Sequence, residues 1–404
     1  MNIVHLCQYY MPGQTYQENY LPLSMARLGH AVTVIAGTKD PDFYRGQKRL
    51  DGETILDGPV LVRYTDIRYG SLRTPVPGLT ALLEAEKPDL LFVHGFILTR
   101  CPQLKRYADR HPEVILGADT HETWVLAFNA CFTGTLKDRL RRLIYFGIVY
   151  PAWRRWTERR FAKIFYVTPP RRKYAVEAYG YHEENLAPLW LGADLATLPY
   201  AEKPALRRSL RDALGLPEDA GIILQAGKLD EKKRTRELIG AFCRLEGDWH
   251  LVLVGSMTPE LEEYRAAKER ENGRIHALGL RSGEETLRLI AGADIAAYPG
   301  AHSVLWEETA ALGIPAVYYS PEEGDAEYLS DDSARFVRNG SEEEILCALR
   351  DLTGRREELS AMGARARALA ERVLDYDRLA EECLRILSAA GETEQKSRIR
   401  ATKL

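Results

Sequence analysis

The stretch 294-DIAAYPGAHSVLWEETAALGIPAVYY-319 decides how the rest of the chain is read. Its apolar run Ile295–Tyr298, bounded by Asp294 and by Pro299-Gly300, predicts a buried strand ending in a turn. Ser303 stands where a helix N-cap belongs, and Glu307 and Glu308 fall in the first turns, where carboxylates suit the helix dipole. Gly313 closes that helix, Pro315 forbids its continuation, and a second apolar run, Ala316–Tyr319, follows at once. Strand, turn, helix and strand in this rhythm make a parallel β-α-β unit. The crevice at the carboxyl end of its first strand, facing a helix N-terminus, suits an anion such as phosphate.

The same grammar recurs upstream. Ile222–Ala226 predicts a strand, followed by 227-GKLDEKK-233 and a helix over about 235–245. Lys228 and Lys233, five apart after a glycine turn at the mouth of a parallel sheet, suit a diphosphate, because an ammonium is a point charge with rotatable donors. The competing reading is a solvated charge run. The spacing of a P-loop is absent. Further strands are expected at Leu251–Val254 and within 274-RIHALG-279.

The first half opens with the strand Ile3–Cys7, a loop over 9–16 carrying Pro12-Gly13, an amphipathic helix over 17–28 and the strand Ala31–Ala36. Gly13 sits where a Rossmann-like fold brings backbone close to a ligand, although turns need glycine anyway. Between 37 and 77 one strand is expected, Val60–Tyr64; a helix over 79–86 then leads to Leu90–Val93 and His94. His94 reads either as a rim residue or as a structural one. The strand Val114–Gly117 runs into 119-DTHETW-124, a cluster of polar groups where a strand gives way to a loop. His121 can donate or accept a hydrogen bond near neutral pH, and Asp119 can fix its tautomer. A loop histidine merely paired with Asp119 is the alternative.

A length of 404 residues with 45% hydrophobic content predicts two or three domains. The net charge of −3 argues against a nucleic-acid partner. Six scattered cysteines without a C-x-x-C pair suit reduced thiols rather than a disulfide framework or a zinc site. The start MNIVHLCQYY lacks the pattern of a signal peptide, and no apolar run reaches the roughly 18–20 residues that span a bilayer, so a cytoplasmic location is expected. The segment 136–173 stands apart, with twelve cations against two acids. Leu136, Leu140, Leu143, Ile144 and Ile148 share one helical face, and Tyr145, Tyr150, Trp153 and Trp156 are aromatics favoured at membrane surfaces. Peripheral contact with an anionic membrane is one reading; a solvated helix over the domain's core is the other. Asp375-Tyr376-Asp377 reads as a helix cap rather than a metal site, and Gly391–Leu404 as a frayed basic tail.

These residues carry a resemblance. The stretch 294–319 resembles the signature of retaining glycosyltransferase family 4 (glycosyl transferases group 1), in which Glu, seven residues and a second Glu precede Gly-x-Pro. Glu308 and Gly313-Ile314-Pro315 match its second half, and Gly300 stands at the first Glu. The resemblance extends to 17-QENYLPLSMARLGHAVTVI-35 and to 189-LWLGAD-194. It implies an α/β architecture of two Rossmann-like domains facing a central cleft (GT-B), divided as 1–195 and 196–375, with 376–404 a C-terminal helix and tail. It implies sugar transfer from a nucleotide-diphosphate sugar to a saccharide or lipid-linked acceptor, without cofactor or metal. Lys228 and Lys233 match the family's diphosphate-binding Arg and Lys, and Glu308 the ribose-binding Glu. Gly13, Gly300 and the backbone from Ala301 to Val304, with His302 and Ser303 partly replacing the missing carboxylate, line the donor. His121 matches the histidine near donor sugar and acceptor, and Leu278 lies on the strand whose end meets the base. A degenerate scaffold that binds a nucleotide without transfer is the alternative; a nucleotide-sugar epimerase of the same fold is disfavoured.

Overall fold

The computed structural model describes residues 1–39, 49–69, 73–122, 140 and 143–402. The chain divides into two compact units, Met1–Trp190 joined by Tyr376–Leu404, and Leu191–Asp375.

The first unit is built on strands β1 (Asn2–Cys7), β2 (Ala31–Gly37), β3 (Thr54–Asp57), β4 (Val60–Thr65), β5 (Leu90–Val93), β6 (Ile115–Thr120), β7 (Lys163–Tyr166) and β8 (Leu186–Pro188). They form one sheet in the order β3-β4-β2-β1-β5-β6-β7-β8, parallel except for β3 on β4. The chain runs outward from β1 in one direction through β2 and β4, then returns to β5 on its other flank. The gap between the carboxyl ends of β1 and β5 is therefore a topological switch point.

The second unit carries β9 (Gly221–Ala226), β10 (Trp249–Val254), β11 (Ile275–Gly279), β12 (Ile295–Tyr298), β13 (Ala316–Tyr319) and β14 (Ala334–Val337). Its sheet is parallel throughout, in the order β11-β10-β9-β12-β13-β14. Strands β9, β10 and β12 are buried along their whole length, as expected of parallel strands covered on both faces. Their switch point lies between β9 and β12. Asp294, at the foot of β12, does more than bound the strand. Buried Arg211 of the helix Lys203–Leu214 donates to its Oδ2 at 2.6 Å, and the amide of Ile222 donates to the same atom at 2.7 Å. One carboxylate thus ties a helix and two strands together.

Several expectations are corrected. The helix Tyr376–Thr402 is not a separate tail: Tyr376, Leu379, Ala380, Cys383 and Leu387 are buried in the core of the first unit. Tyr20 of the helix Gln17–Arg27 packs on Tyr376 with ring centroids 5.1 Å apart, and Arg27 pairs with Asp377 at 2.7 Å. The helix also runs on through Gly391, where composition predicted fraying. β3 was not expected; its alternation of half-buried and exposed residues, Leu56 among the latter, lacks the apolar density of its neighbours. β6 begins and ends later than read, so Asp119 and Thr120 are strand residues.

Candidate functional site: the strand ends of the two sheets

In the second unit the loops after β9 and β12 meet at the switch point. Gln225 donates from Nε2 to the carbonyl of Lys233 at 3.0 Å, and Asp230 caps the short turn Glu231–Lys233 by accepting from the Lys233 amide at 3.1 Å. The amide of Ala301 donates to the Lys232 carbonyl at 2.7 Å. Lys233 closes the junction, its Nζ donating to the carbonyls of Ala301 at 2.5 Å and His302 at 2.9 Å. An ammonium carries three hydrogens, and these bonds use two. Burial lowers its pKa to about 8, against the opposing pull of Asp230. Lys228 differs: its side chain is 70% exposed, 3.6 Å from Asp230. The two lysines read as equivalent from their spacing are a buried member and an exposed one.

The helix after β12 spans Leu305–Ala311, with Val304 as its N-cap. Val304 already adopts helical backbone angles, and the Ser303 hydroxyl accepts from the Leu305 amide, two positions on, in a long contact of 3.5 Å, the capping geometry read from sequence. Glu307 and Glu308 are both fully buried. Glu307, missed in the sequence, accepts from His302 Nε2 at 3.0 Å and from the Tyr328 hydroxyl at 2.6 Å.

At the far side of the same sheet, Leu278 lies on edge strand β11 beside a pocket of about 540 Å³. Gly255, Ser256, Met257, Ala277, Gly279 and Leu280 line it, together with Arg265, which pairs with Glu262 at 2.7 Å and also with Glu269.

In the first unit a chain of side chains crosses the switch point between β1 and β5. His5 Nδ1 lies 2.9 Å from His94 Nε2, and His94 Nδ1 lies 2.7 Å from Asp119 Oδ2. The amide of Gly95 donates to Asp119 Oδ1 at 2.7 Å, and His121 Nε2 lies 3.5 Å from that oxygen. His5, His94 and Asp119 are fully buried; His121 is 29% exposed and ends the chain toward solvent. His94 is thus a link in a buried chain rather than a rim residue. Burial lowers the pKa of His5, and the charge of His94 adds to it. Burial pushes the Asp119 carboxyl up, yet His94 and His121 hold it well below the usual carboxylate range. Burial likewise works against charge on His121, and Asp119 outweighs it, leaving the imidazole above its ordinary value. Gly13 adopts φ +75° at an exposed turn with open space beside it, a conformation that favours glycine.

The basic segment divides in a way its composition did not reveal. Trp153, Trp156 and Tyr150 pack against the core, and Trp153 donates to Thr99 at 2.9 Å. Arg160 is buried on the carbonyls of Ala108, His111 and Val114, Arg154 donates to the Gly180 carbonyl at 2.6 Å, and Arg172 pairs with Glu183. What faces outward is both apolar and basic: Leu140, Leu143, Ile144 and Ile148 are exposed, and so are Arg155, Arg159, Arg172 and Lys173. Leu136, Arg141 and Arg142 lie outside the described residues. Among the described residues no helix is long and apolar enough to cross a membrane.

The model of glycosyl transferases group 1 matches residues 207–369, and that of glycosyltransferase family 4 matches 22–197. No curated protein sequence matches the chain. Among solved structures, a sucrose-phosphate synthase from Thermosynechococcus elongatus is similar over 96% of this chain and 100% of its own, with 16% identity and TM-score 0.68. HepE of Anabaena, in complex with UDP, is similar over the same shares at 16% identity and TM-score 0.67. WaaG, a glycosyltransferase involved in lipopolysaccharide biosynthesis, is similar over 95% of this chain and 99% of its own, at 18% identity and TM-score 0.62. The two matches take in β2 to β8 of the first sheet and the whole of the second, and the chain belongs to the group 1 glycosyltransferases of family 4, with two Rossmann-like domains of the GT-B type.

Proposed function

We propose that the protein transfers a sugar, with retention of configuration, from a nucleoside-diphosphate sugar to a saccharide or lipid-linked acceptor in surface polysaccharide or glycolipid synthesis. The observation that carries this reading is the junction at the second sheet's switch point, where Lys233 binds the loops after β9 and β12 together through Ala301 and His302. The remaining hydrogen of Lys233 and the exposed ammonium of Lys228 meet the diphosphate, with no metal ion needed for that charge. The amides between Ala301 and Val304 hold its oxygens, Glu308 takes the ribose, and the base enters the pocket beside Leu278. HepE has been solved with UDP-glucose, which agrees with a donor of this class.

In the reaction the bond between the anomeric carbon and the diphosphate breaks, and the acceptor hydroxyl attacks on the face being vacated. A departing phosphate oxygen takes the hydroxyl proton. Negative charge grows on the diphosphate during this step, so fixed cations stabilise the transition state more than the ground state. His121, with Asp119 behind it, offers a hydrogen bond to a sugar hydroxyl.

The acceptor reading draws on the surface at Leu140, Leu143, Ile144 and Ile148. Four exposed aliphatic residues in a segment rich in cations suit shallow insertion into an anionic, lipid-bearing surface. The structurally similar WaaG is a glycosyltransferase involved in lipopolysaccharide biosynthesis, which agrees with this reading.

The rival reading, a nucleotide-binding scaffold without transfer, draws on Gly300 in place of the first motif carboxylate. A thermal-shift panel of UDP, ADP and GDP, followed by hydrolysis assays with the matching nucleotide sugars, separates the two. Slow hydrolysis of one donor is the expected result. Binding of a diphosphate without turnover of any of its sugars favours the scaffold, and no binding at all overturns both.

A further inference from the structure

Position 300 is closed to every side chain. A Cβ built there would lie 2.3 Å from the Lys232 carbonyl oxygen and 2.6 Å from the Lys233 Cα, and the obstacles are backbone. The loop that Lys233 pins in place therefore excludes a carboxylate at this point. Glycine here is a condition of the junction, not merely a lost residue.

A carboxylate is present nonetheless, from the neighbouring helix. Glu307 is fully buried, and its Oε1 accepts from both His302 and Tyr328. Its Oε2 is also buried, with no hydrogen-bond partner among the described residues. A carboxylate oxygen left without a donor in the interior is costly unless another group reaches it. His302 belongs to the same loop as Gly300, its side chain 19% exposed and its ring edge-on to Trp306 at 4.9 Å. Like Tyr328 it is half-buried, and it is the member of the cluster that lies on the loop after β12.

We infer that His302, held by Glu307 and Tyr328, is the group that grips the sugar of the donor in place of a carboxylate at position 300. The inference rests on the donor reading above and deepens it. His302 makes the contact, while Glu307 and Tyr328 are positioning residues. The buried carboxylate fixes which ring nitrogen carries hydrogen and which way the ring faces, as a carboxylate behind a ligand-holding histidine commonly does. The Tyr328 hydroxyl keeps that carboxylate from rotating away.

The experiment uses the full chain and three donors, UDP-glucose, ADP-glucose and GDP-mannose, with hydrolysis as the readout. Binding of UDP, ADP and GDP serves as the sugar-free control. His302→Ala, Glu307→Gln and Tyr328→Phe should each lower kcat/KM for the donor that is turned over, by roughly tenfold or more for the loss of a charge-assisted contact. The Kd of the matching diphosphate should stay within about twofold, because it carries no sugar. The double variant His302→Ala/Glu307→Gln should be no worse than His302→Ala alone, since a positioning residue has nothing left to position. If Glu307→Gln fails to fold, Tyr328→Phe and His302→Gln supply the same comparison.

Multiplicative losses in the double variant, or equal losses of sugar and diphosphate binding, would overturn the proposal by giving Glu307 a structural role. Unchanged kcat/KM in a folded His302→Ala would do so as well. In each of these outcomes the wild type still turns over a donor, so the donor reading survives. If the wild type neither binds a diphosphate nor hydrolyses a donor, both fall together.

Discussion

His94 Nδ1 lies 2.7 Å from Asp119 Oδ2, two buried side chains that leave the carboxyl ends of neighbouring parallel strands. An ionised carboxylate only accepts, so the hydrogen in this contact sits on His94, and Asp119 has one oxygen left for Gly95 and His121. The pair thus settles which groups of the first unit can approach His121 from behind.

Asp119→Asn should be among the most damaging single changes in the first unit. It keeps shape but removes the charge that three donors face, and breaking a buried pair in this way costs about 3 kcal/mol or more. A fall in the thermal transition, with His121-dependent activity lost alongside it, is expected. A variant as stable as the wild type would show that the chain of histidines does not depend on the charge.

Stability should fall with acid in two stages. The folded-state pKa of His5 is lowered, so below its unfolded value of about 6.5 the unfolded chain binds the extra proton and gains population. Asp119, also depressed, contributes stability above its unfolded value of about 3.9 and loses it as pH falls through its folded value. Thermal melts from pH 8 down to pH 2 test this, and His5→Gln should flatten the first stage while leaving the second.

Lys233→Ala should lower turnover about a hundredfold or more, the scale seen when one fixed stabilising group is removed. With its pKa near 8, the free enzyme's Lys233 begins to lose its proton just above neutrality. Diphosphate affinity should therefore weaken as pH rises past about 8, by up to tenfold per unit, because binding must restore the proton. Titration calorimetry at pH 7, 8 and 9 with the diphosphate identified by thermal shift measures this directly. A flat Kd across that range would remove Lys233 from the diphosphate's partners.

Gly300→Glu, which writes the family's first carboxylate back into the sequence, should reduce activity rather than raise it. The new side chain meets the backbone of Lys232 and Lys233 and pushes apart the loops that Lys233 holds. Melting temperature and hydrolysis rate should drop together, and a gain in rate would show that the loop yields.

Leu143→Ser with Ile148→Ser should weaken binding to vesicles of anionic lipid without altering the melting temperature, since both side chains are exposed. Co-sedimentation at low and high salt is the measurement. Absence of wild-type binding at low salt would leave the segment as an acceptor groove or a solvated surface.

The sheet of the second unit was legible because its strands are short apolar runs with hard edges. Ile295–Tyr298 and Ala316–Tyr319 agree with the structure to the residue, each bounded by groups that cannot continue a strand. β3 and β14 carried no such signal, one half-exposed and antiparallel, the other interrupted by Arg335. The site was legible only as local pattern. His5 and His94 are 89 positions apart and meet because β1 and β5 pair in parallel register, which no spacing along the chain encodes. Glu307 was visible but misjudged: a first-turn carboxylate satisfies the helix dipole whether it faces water or a buried histidine.

The return of the helix Tyr376–Thr402 to the first unit has a consequence for how the protein is made. The strands of the first sheet leave the ribosome before the second unit is made, but side chains packed in one cluster with Phe92 and Phe165 come from residues after 375. In between, residues 191–375 must be synthesised, on the order of ten to forty seconds at ~5–20 residues per second. The second unit can complete itself during that interval while the first waits with an apolar seat uncovered. A stop codon placed just after Asp375 would therefore spare the unit it follows and cripple the one that was begun first.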